Sequence, residues 1–290
     1  MGEFVIPPPP DIRDTMSNLY SLPVDQLRQT EGAIDDFLVF RAALEQGEIR
    51  AAQRNRYGIW ITDPRVKQGI LVGFRLGDNV SMSNPEETLQ FVDKRTYPVR
   101  SFRHDDGVRL VPGGTSVRSG AYVGEGVVIM PPAYVNVGAY VGNETMIDSH
   151  ALVGSCAQVG ERCHISAGAQ IGGVLEPINA NPCIIEDRVV MGANSSIVEG
   201  VILREGVVLG SGVNLTSSTP VFDLVNETIH RSMHDSPLII PEGAVVVQGS
   251  RRLDGNMLAL DYGLSITVPI IKKYRDKKTD AKTALEEALR

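Results

Sequence analysis

Cysteine is scarce in this chain, and the three present in 290 residues, Cys156, Cys163 and Cys183, show no CxxC spacing. That leaves no disulfide framework and no thiolate zinc motif. Histidine is equally sparse: His104, His150, His164, His230 and His234 have no clustered ligand spacing, so no metal is expected. Basic charge is not in surplus. Twenty-eight Lys and Arg face 35 Asp and Glu, for a net charge of −7, which weighs against nucleic acid or an anionic membrane surface as partner. No apolar run approaches the roughly 18 residues of a membrane span. The segment MGEFVIPPPP lacks the charged region and apolar core of a secretory signal, and Ile6 stands where a myristoylation motif needs Ser or Thr. The expectation is a cytoplasmic protein with reduced thiols.

What the chain does have is a grid. Sixteen apolar residues recur every six positions, as Val117, Val123, Ile129, Val135, Val141, Ile147, Val153, Val159, Ile165 and Ile171, then Ile185, Met191, Ile197, Leu203, Leu209 and Leu215. No grid position is polar. Four residues after nearly all of them comes a small or β-branched residue, such as Ala121, Ala139, Ala151, Ala157, Ala169 or Val213. A six-residue period of this kind is the signature of a parallel β-helix. Each hexad supplies one face of a triangular coil, three hexads make a turn, and the turns cohere through their neighbours. Cys163 takes the small-residue position of its hexad and reads as a packed thiol.

Around the coil the sequence divides into an α/β amino-terminal domain over residues 1–106, the β-helix over 107–250, and a strand and helix cap over 251–290. The proline-rich arm 1–10 reads as irregular. From about Asp25 to Gln46, Leu27, Ile34, Phe37, Leu38 and Leu44 follow a loosely helical spacing, with Gly47 as the stop. Gly58 to Asp78 reads as strand, helix, strand, with Asp63-Pro64 suited to start the helix and Gly69 a weak point in it. Between Ile171 and Ile185 the spacing is fourteen residues, two hexads plus two, and LEPINANPCI reads as a loop protruding from a prism edge. The grid weakens after Leu215, and IPEGAVVV restores one last coil. Leu258 to Ile271 reads as strand and Thr279 to Arg290 as a terminal helix.

The run MIDSHALVGSCAQVGERCHISAGAQIGGVLEPINANPCIIED, from Met146 to Asp187, followed by GANSSIVEGVILREGVVLGSGVNLTSST, resembles the tetrahydrodipicolinate N-succinyltransferases of the bacterial lysine pathway. The resemblance extends back through VRLVP, FRLGDN and ALEQGEIRAA and weakens at both ends. It implies a left-handed β-helix, mainly β in class, assembled as a homotrimer with active sites between subunits. The implied donor is succinyl-CoA or acetyl-CoA, and the implied acceptor a small dicarboxylic amino acid whose amine attacks the thioester directly.

Residue by residue, the resemblance assigns Asp148 of MIDSH to substrate contact and proton movement. Arg109 of VRLVP is assigned to a substrate carboxylate, which a planar guanidinium fork suits. Arg75, Ser155 and Glu176 fall in the matching FRLGDN, GSCAQ and GGVLEP motifs and are assigned to substrate. Ser166, Ala167, Gly192 and Ser196 are assigned to CoA. Gly210 and Ser211 are likewise assigned to CoA, and by their charge Arg251, Arg252, Lys272 and Lys273 are candidates for the CoA phosphates. Two departures bear on mechanism: the family's GARSEVVEG is GANSSIVEG here, with Ser196 in place of a glutamate proposed as base, and His150 replaces a tryptophan. A serine hydroxyl is no base near neutral pH, so the role moves to His150, Glu199 or water. Strand alternation from core-facing Ile147 would turn Asp148 and His150 to one outward side. Ala167, Pro220 and the segment SRRLDGNMLALDYG also depart from the family, leaving a diverged acetyl-CoA-using relative, such as the tabtoxin-biosynthesis acyltransferase, as the alternative, and a non-catalytic β-helix scaffold as a third reading.

Overall fold

The computed structural model describes residues 11–83, 91–233 and 236–276. The expected arm 1–10 and terminal helix 279–290 lie outside the described residues.

The hexads form a left-handed parallel β-helix. Each contributes a two-residue strand whose second member is the grid residue, and all sixteen grid side chains are buried, none more than 7% exposed. Strands pair in parallel across successive coils at an offset of 18 residues, as in Tyr122↔Tyr140↔Gln158 and Val128↔Met146↔His164. Three faces result, in sheets of six, ten and six strands. The fourth residue after most grid positions closes the core at the corners: Ala121, Ala139, Ala151, Ala157, Cys163 and Ala169 are all buried in the same cluster. Corners turn at the third residue after the grid position, where φ is positive. Gly120, Gly138, Gly168 and Gly212 hold several of these sites, but His150 holds one at φ 61, a conformation only mildly tolerated by non-glycine residues.

The first irregularity differs from the spacing expected. Gln158 pairs with Ile184 and Gln170 with Ser196, an offset of 26, so one hexad step carries eight inserted residues rather than two hexads plus two. A second insertion follows Leu215, since Ile202 pairs with Ile239 at an offset of 37. It carries the antiparallel pair Val221–Asp223 and Thr228–His230. The last coil has only two faces, with Ile240 and Val246 buried. There the strand Ala244–Arg252 runs straight on and pairs with Ser265–Tyr274 instead of turning a third corner. The expected strand from Leu258 begins later: a short helix, Met257–Asp261, comes first, because the Asn256 side chain caps it by accepting from the Ala259 N–H and Gly263 at φ 61 turns the chain into the strand.

Before the coil, four helices pack on its side: α1 (Ile12–Tyr20), α2 (Val24–Gln29), α3 (Ala33–Glu45) and α4 (Pro64–Leu76). The sequence reading missed α1, which Asp11 caps. It also merged α2 and α3, which Gly32 at φ 77 separates; Leu27, Phe37 and Leu44 face the core while Ile34 and Leu38 are exposed. Helix α4 starts as expected, with Pro64 in its first turn and Asp63 accepting from the Arg65 N–H. Gly69 is a contact point rather than a weak one. A Cβ there would lie 2.4 Å from the Phe40 ring, and one at Gly73 would lie 2.3 Å from Phe37, so both glycines let α3 and α4 approach. Val137 and Cys156 of the coil share this helical core. Buried Glu186 ties the Ala52–Arg54 and Trp60–Thr62 hairpin to the coil through Trp60 Nε1, Arg54 and Arg204. No helix among the described residues is long and apolar enough to cross a membrane.

Candidate active site

The register of the ten-stranded face aligns Asp148 with Ser166, Gly192 and Gly210, each the residue just after a buried grid position on successive coils. Their N–H groups are consumed by the ladder, donating to Ile165, Met191, Leu209 and Val246 carbonyls at 2.8–3.1 Å. This outward column therefore offers shape rather than free donors. Beyond Asp148 nothing larger than a hydroxymethyl stands on it for three coil steps, about 14 Å at the usual strand spacing. The stack is tight here: a Cβ on Gly192 would come within 2.6 Å of the Ser211 nitrogen. Ala167 and Ser211 flank the track on the exposed side.

Asp148 is half-buried, and its Oδ1 accepts from the Ser149 N–H at 2.8 Å. Its Oδ2 lies 4.0 Å from Nε2 of His164, on the next coil. Among the described residues the imidazole placed against Asp148 is thus His164, not His150. Alternation fails for His150 because it occupies the left-handed corner, where its side chain is exposed and its N–H donates to the Pro132 carbonyl. The pairing was encoded in the sequence as an outward residue one before Ile165, sixteen residues from Asp148, but becomes visible only with the coil register.

A second feature lies at the other edge of the adjoining six-stranded face. The two insertions bound an open cleft of about 680 Å³, lined among others by Gly173, Glu176, Asn181, Glu199, Ser217 and Ser232. Glu199 is held there by Ser217, whose N–H and Oγ donate to its Oε2 at 3.1 and 2.6 Å. Ser155 borders the cleft, its carbonyl accepting from the Val174 N–H. Ser196 sits on the face between the two features and donates its hydroxyl to Asn214 Oδ1 at 2.7 Å.

The remaining expected residues scatter. Arg109 is exposed on the same face as Asp148, its strand separated from Met146's by that of Val128, so about 10 Å of sheet lies between them. Arg75 is not brought to the coil surface: its guanidinium donates to the carbonyls of Tyr20, at 2.7 Å, and Leu22, and so fastens the link between α1 and α2. Lys273 bonds Asp276 at 3.0 Å, and both Lys272 and Lys273 lie beside Val245 and Val246, at the opposite edge of the face from Gly210 and Ser211. Neither lysine joins the track.

Two family descriptions match: a tetrahydrodipicolinate N-succinyltransferase N-terminal family over residues 18–76, and a hexapeptide repeat of succinyl-transferase over 182–217. A protein of Bordetella petrii named 2,3,4,5-tetrahydropyridine-2,6-dicarboxylate N-succinyltransferase is 40% identical over 97% of this chain and 98% of its own length. The chain belongs to the tetrahydrodipicolinate N-succinyltransferase family. Relatives of the same name from Herminiimonas arsenicoxydans and Bordetella avium are 42% and 44% identical, each over 86% of both chains. Members of such a transferase family use an acyl-CoA donor. For this N-succinyltransferase family member the three thiols are no nucleophiles: Cys156, Cys163 and Cys183 are buried, and desolvation pushes the first two up to about 12 and the third to about 11. Among the described residues, no three His, Cys, Asp or Glu side chains converge on a metal-sized site.

Proposed function

We propose that this chain transfers a succinyl group from succinyl-CoA to the ring nitrogen of hydrated tetrahydropyridine-2,6-dicarboxylate, and does so as a homotrimer. The names of relatives aligned over nearly the whole chain support the substrates. The observation that carries the site is the Asp148 column: a carboxylate beside an imidazole at one end of a side-chain-poor track on which an extended thiol arm can lie. The nitrogen lone pair forms the amide bond to the acyl carbon as the C–S bond breaks. The nitrogen's proton passes to the Asp148 carboxylate, which becomes neutral beside His164, and the CoA leaves as its thiolate. Collapse of the hydrated ring then breaks the C–N bond and forms a carbonyl, its hydroxyl proton going to the amide nitrogen. Arg109 is the candidate for a substrate carboxylate.

The positions of the parts support the trimer. The Asp148 track and the Glu199 cleft sit at opposite edges of one face, separated by a six-residue hexad and thus by something under about 20 Å. A three-fold ring of coils sets one protomer's track against its neighbour's cleft, so that Glu176 and Glu199 of one and Asp148 of the other share a substrate. Thiol release measured with succinyl-CoA and acetyl-CoA in parallel, with tetrahydropyridine-2,6-dicarboxylate as acceptor, tests the reading. Turnover with succinyl-CoA is expected. A preference for acetyl-CoA would overturn the donor, and no thiol release with either would overturn the reaction.

A further inference from the structure

Helix α4 contains a fully buried lysine. Lys67 is 0% exposed, and its Nζ donates to the Ala180 carbonyl at 2.6 Å. Among the described residues no carboxylate pairs with it; the titratable groups acting on it are the buried thiols of Cys156 and Cys183. An ammonium without a counter-ion is a costly way to fill a helix–coil interface, where an aliphatic side chain of like volume would pack at less cost. What the charge adds over an aliphatic is a strong bond to one carbonyl.

That carbonyl belongs to the first insertion, which lines the cleft. A second bond reaches the same stretch from the same side: Thr62, just before α4, donates its hydroxyl to Asn181 Oδ1 at 2.9 Å. Asn181 in turn presses on the coil beneath, since a Cβ on Gly200 would come within 2.7 Å of its carbonyl oxygen, and Gly200 directly follows Glu199. From α4 a continuous set of contacts thus runs through Ala180 and Asn181 to the backbone that carries Glu199.

We infer that Lys67, assisted by Thr62, is a positioning residue that holds the 172–183 insertion in the shape that receives the dicarboxylate acceptor. This rests on the acyltransfer reading above, with the cleft as the acceptor's side of the site. The acyl donor lies on the Asp148 track and is not touched by the Lys67 contacts, so donor and acceptor should respond differently.

The test uses Lys67→Met, Lys67→Gln and Thr62→Val in the full chain. Lys67→Met should raise the acceptor KM about tenfold or more, leave kcat within about threefold, and leave the donor KM unchanged. Lys67→Gln, which keeps a donor, should recover part of that loss, and Thr62→Val should shift the acceptor KM the same way by a smaller factor. Amide hydrogen exchange in 174–181 should rise about tenfold in Lys67→Met, with the coil strands unchanged. An unaltered acceptor KM and unaltered exchange would overturn the inference, as would a fall in kcat with both KM values moving together. If Lys67→Met does not fold, Thr62→Val decides the matter on the same two readouts. A wild-type protein inactive on this acceptor would sink the functional reading, while the exchange measurement would still settle the positioning role.

Discussion

Asp148 and His164 illustrate how chemistry arises from a repeat. Neither is unusual alone; the 18-residue coil puts them on neighbouring strands and a hexad's alternation turns both outward. Asp148→Asn should lower kcat by about 10²–10⁴-fold with a smaller change in either KM, the usual loss on removing a general acid or base; steady-state kinetics on the folded variant checks this. His150→Gly should retain turnover near that of the wild type, since glycine suits the φ 61 corner that His150 occupies. A His150→Gly protein with activity collapsed and fold intact would return the imidazole role to that residue. The core was legible from residues alone, because a six-residue period needs no partner to be seen. The contacts of Asp148 with His164, and of Lys67 with Ala180 across 113 positions, were not, since each depends on a register or docking that local pattern does not express.

Among the elements, the coils are held at van der Waals limits and the cap by a buried polar cluster. A Cβ on Gly142 would meet the Gly160 carbonyl carbon at 2.6 Å, backbone against backbone. Gly142→Ala should therefore destabilise the protein by about 1–3 kcal/mol, measured by denaturant unfolding. Beneath the cap, Asp223 of the second insertion is buried, which by itself would raise its pKa; hydrogen bonds from Tyr274, Asn226 and His230 outweigh that and hold it well below the ordinary aspartate value. A depressed carboxylate contributes stability above its unfolded pKa near 4, and loses it as pH falls through the folded value. Asp223→Asn should accordingly cost about 1–3 kcal/mol at neutral pH, with the gap to wild type closing as pH drops below 4. The second insertion that carries Asp223 left only a weakened grid in the sequence, because Val221–Asp223 pairs with Ser265–Tyr274, and Thr228–His230 with Val221–Asp223, rather than with a neighbouring coil. The strand expected from Leu258 was misplaced for a similarly local reason, the Asn256 cap outweighing β-rich composition.

Among the described residues the coil is a prism with an open track at one edge and an open cleft at another. The proposed homotrimer predicts a solution mass near three times 31.4 kDa, about 94 kDa, by light scattering, independent of concentration over the working range. A monomer active at full rate would contradict the shared-site arrangement. The most direct test of the account is the rate of CoA thiol release from succinyl-CoA that depends on tetrahydropyridine-2,6-dicarboxylate, compared between the wild-type protein and Asp148→Asn. Acceptor-dependent release by the wild type, reduced at least about a hundredfold in the variant, is the predicted result. Equal rates in the two proteins, or no acceptor-dependent release from the wild type, would contradict it.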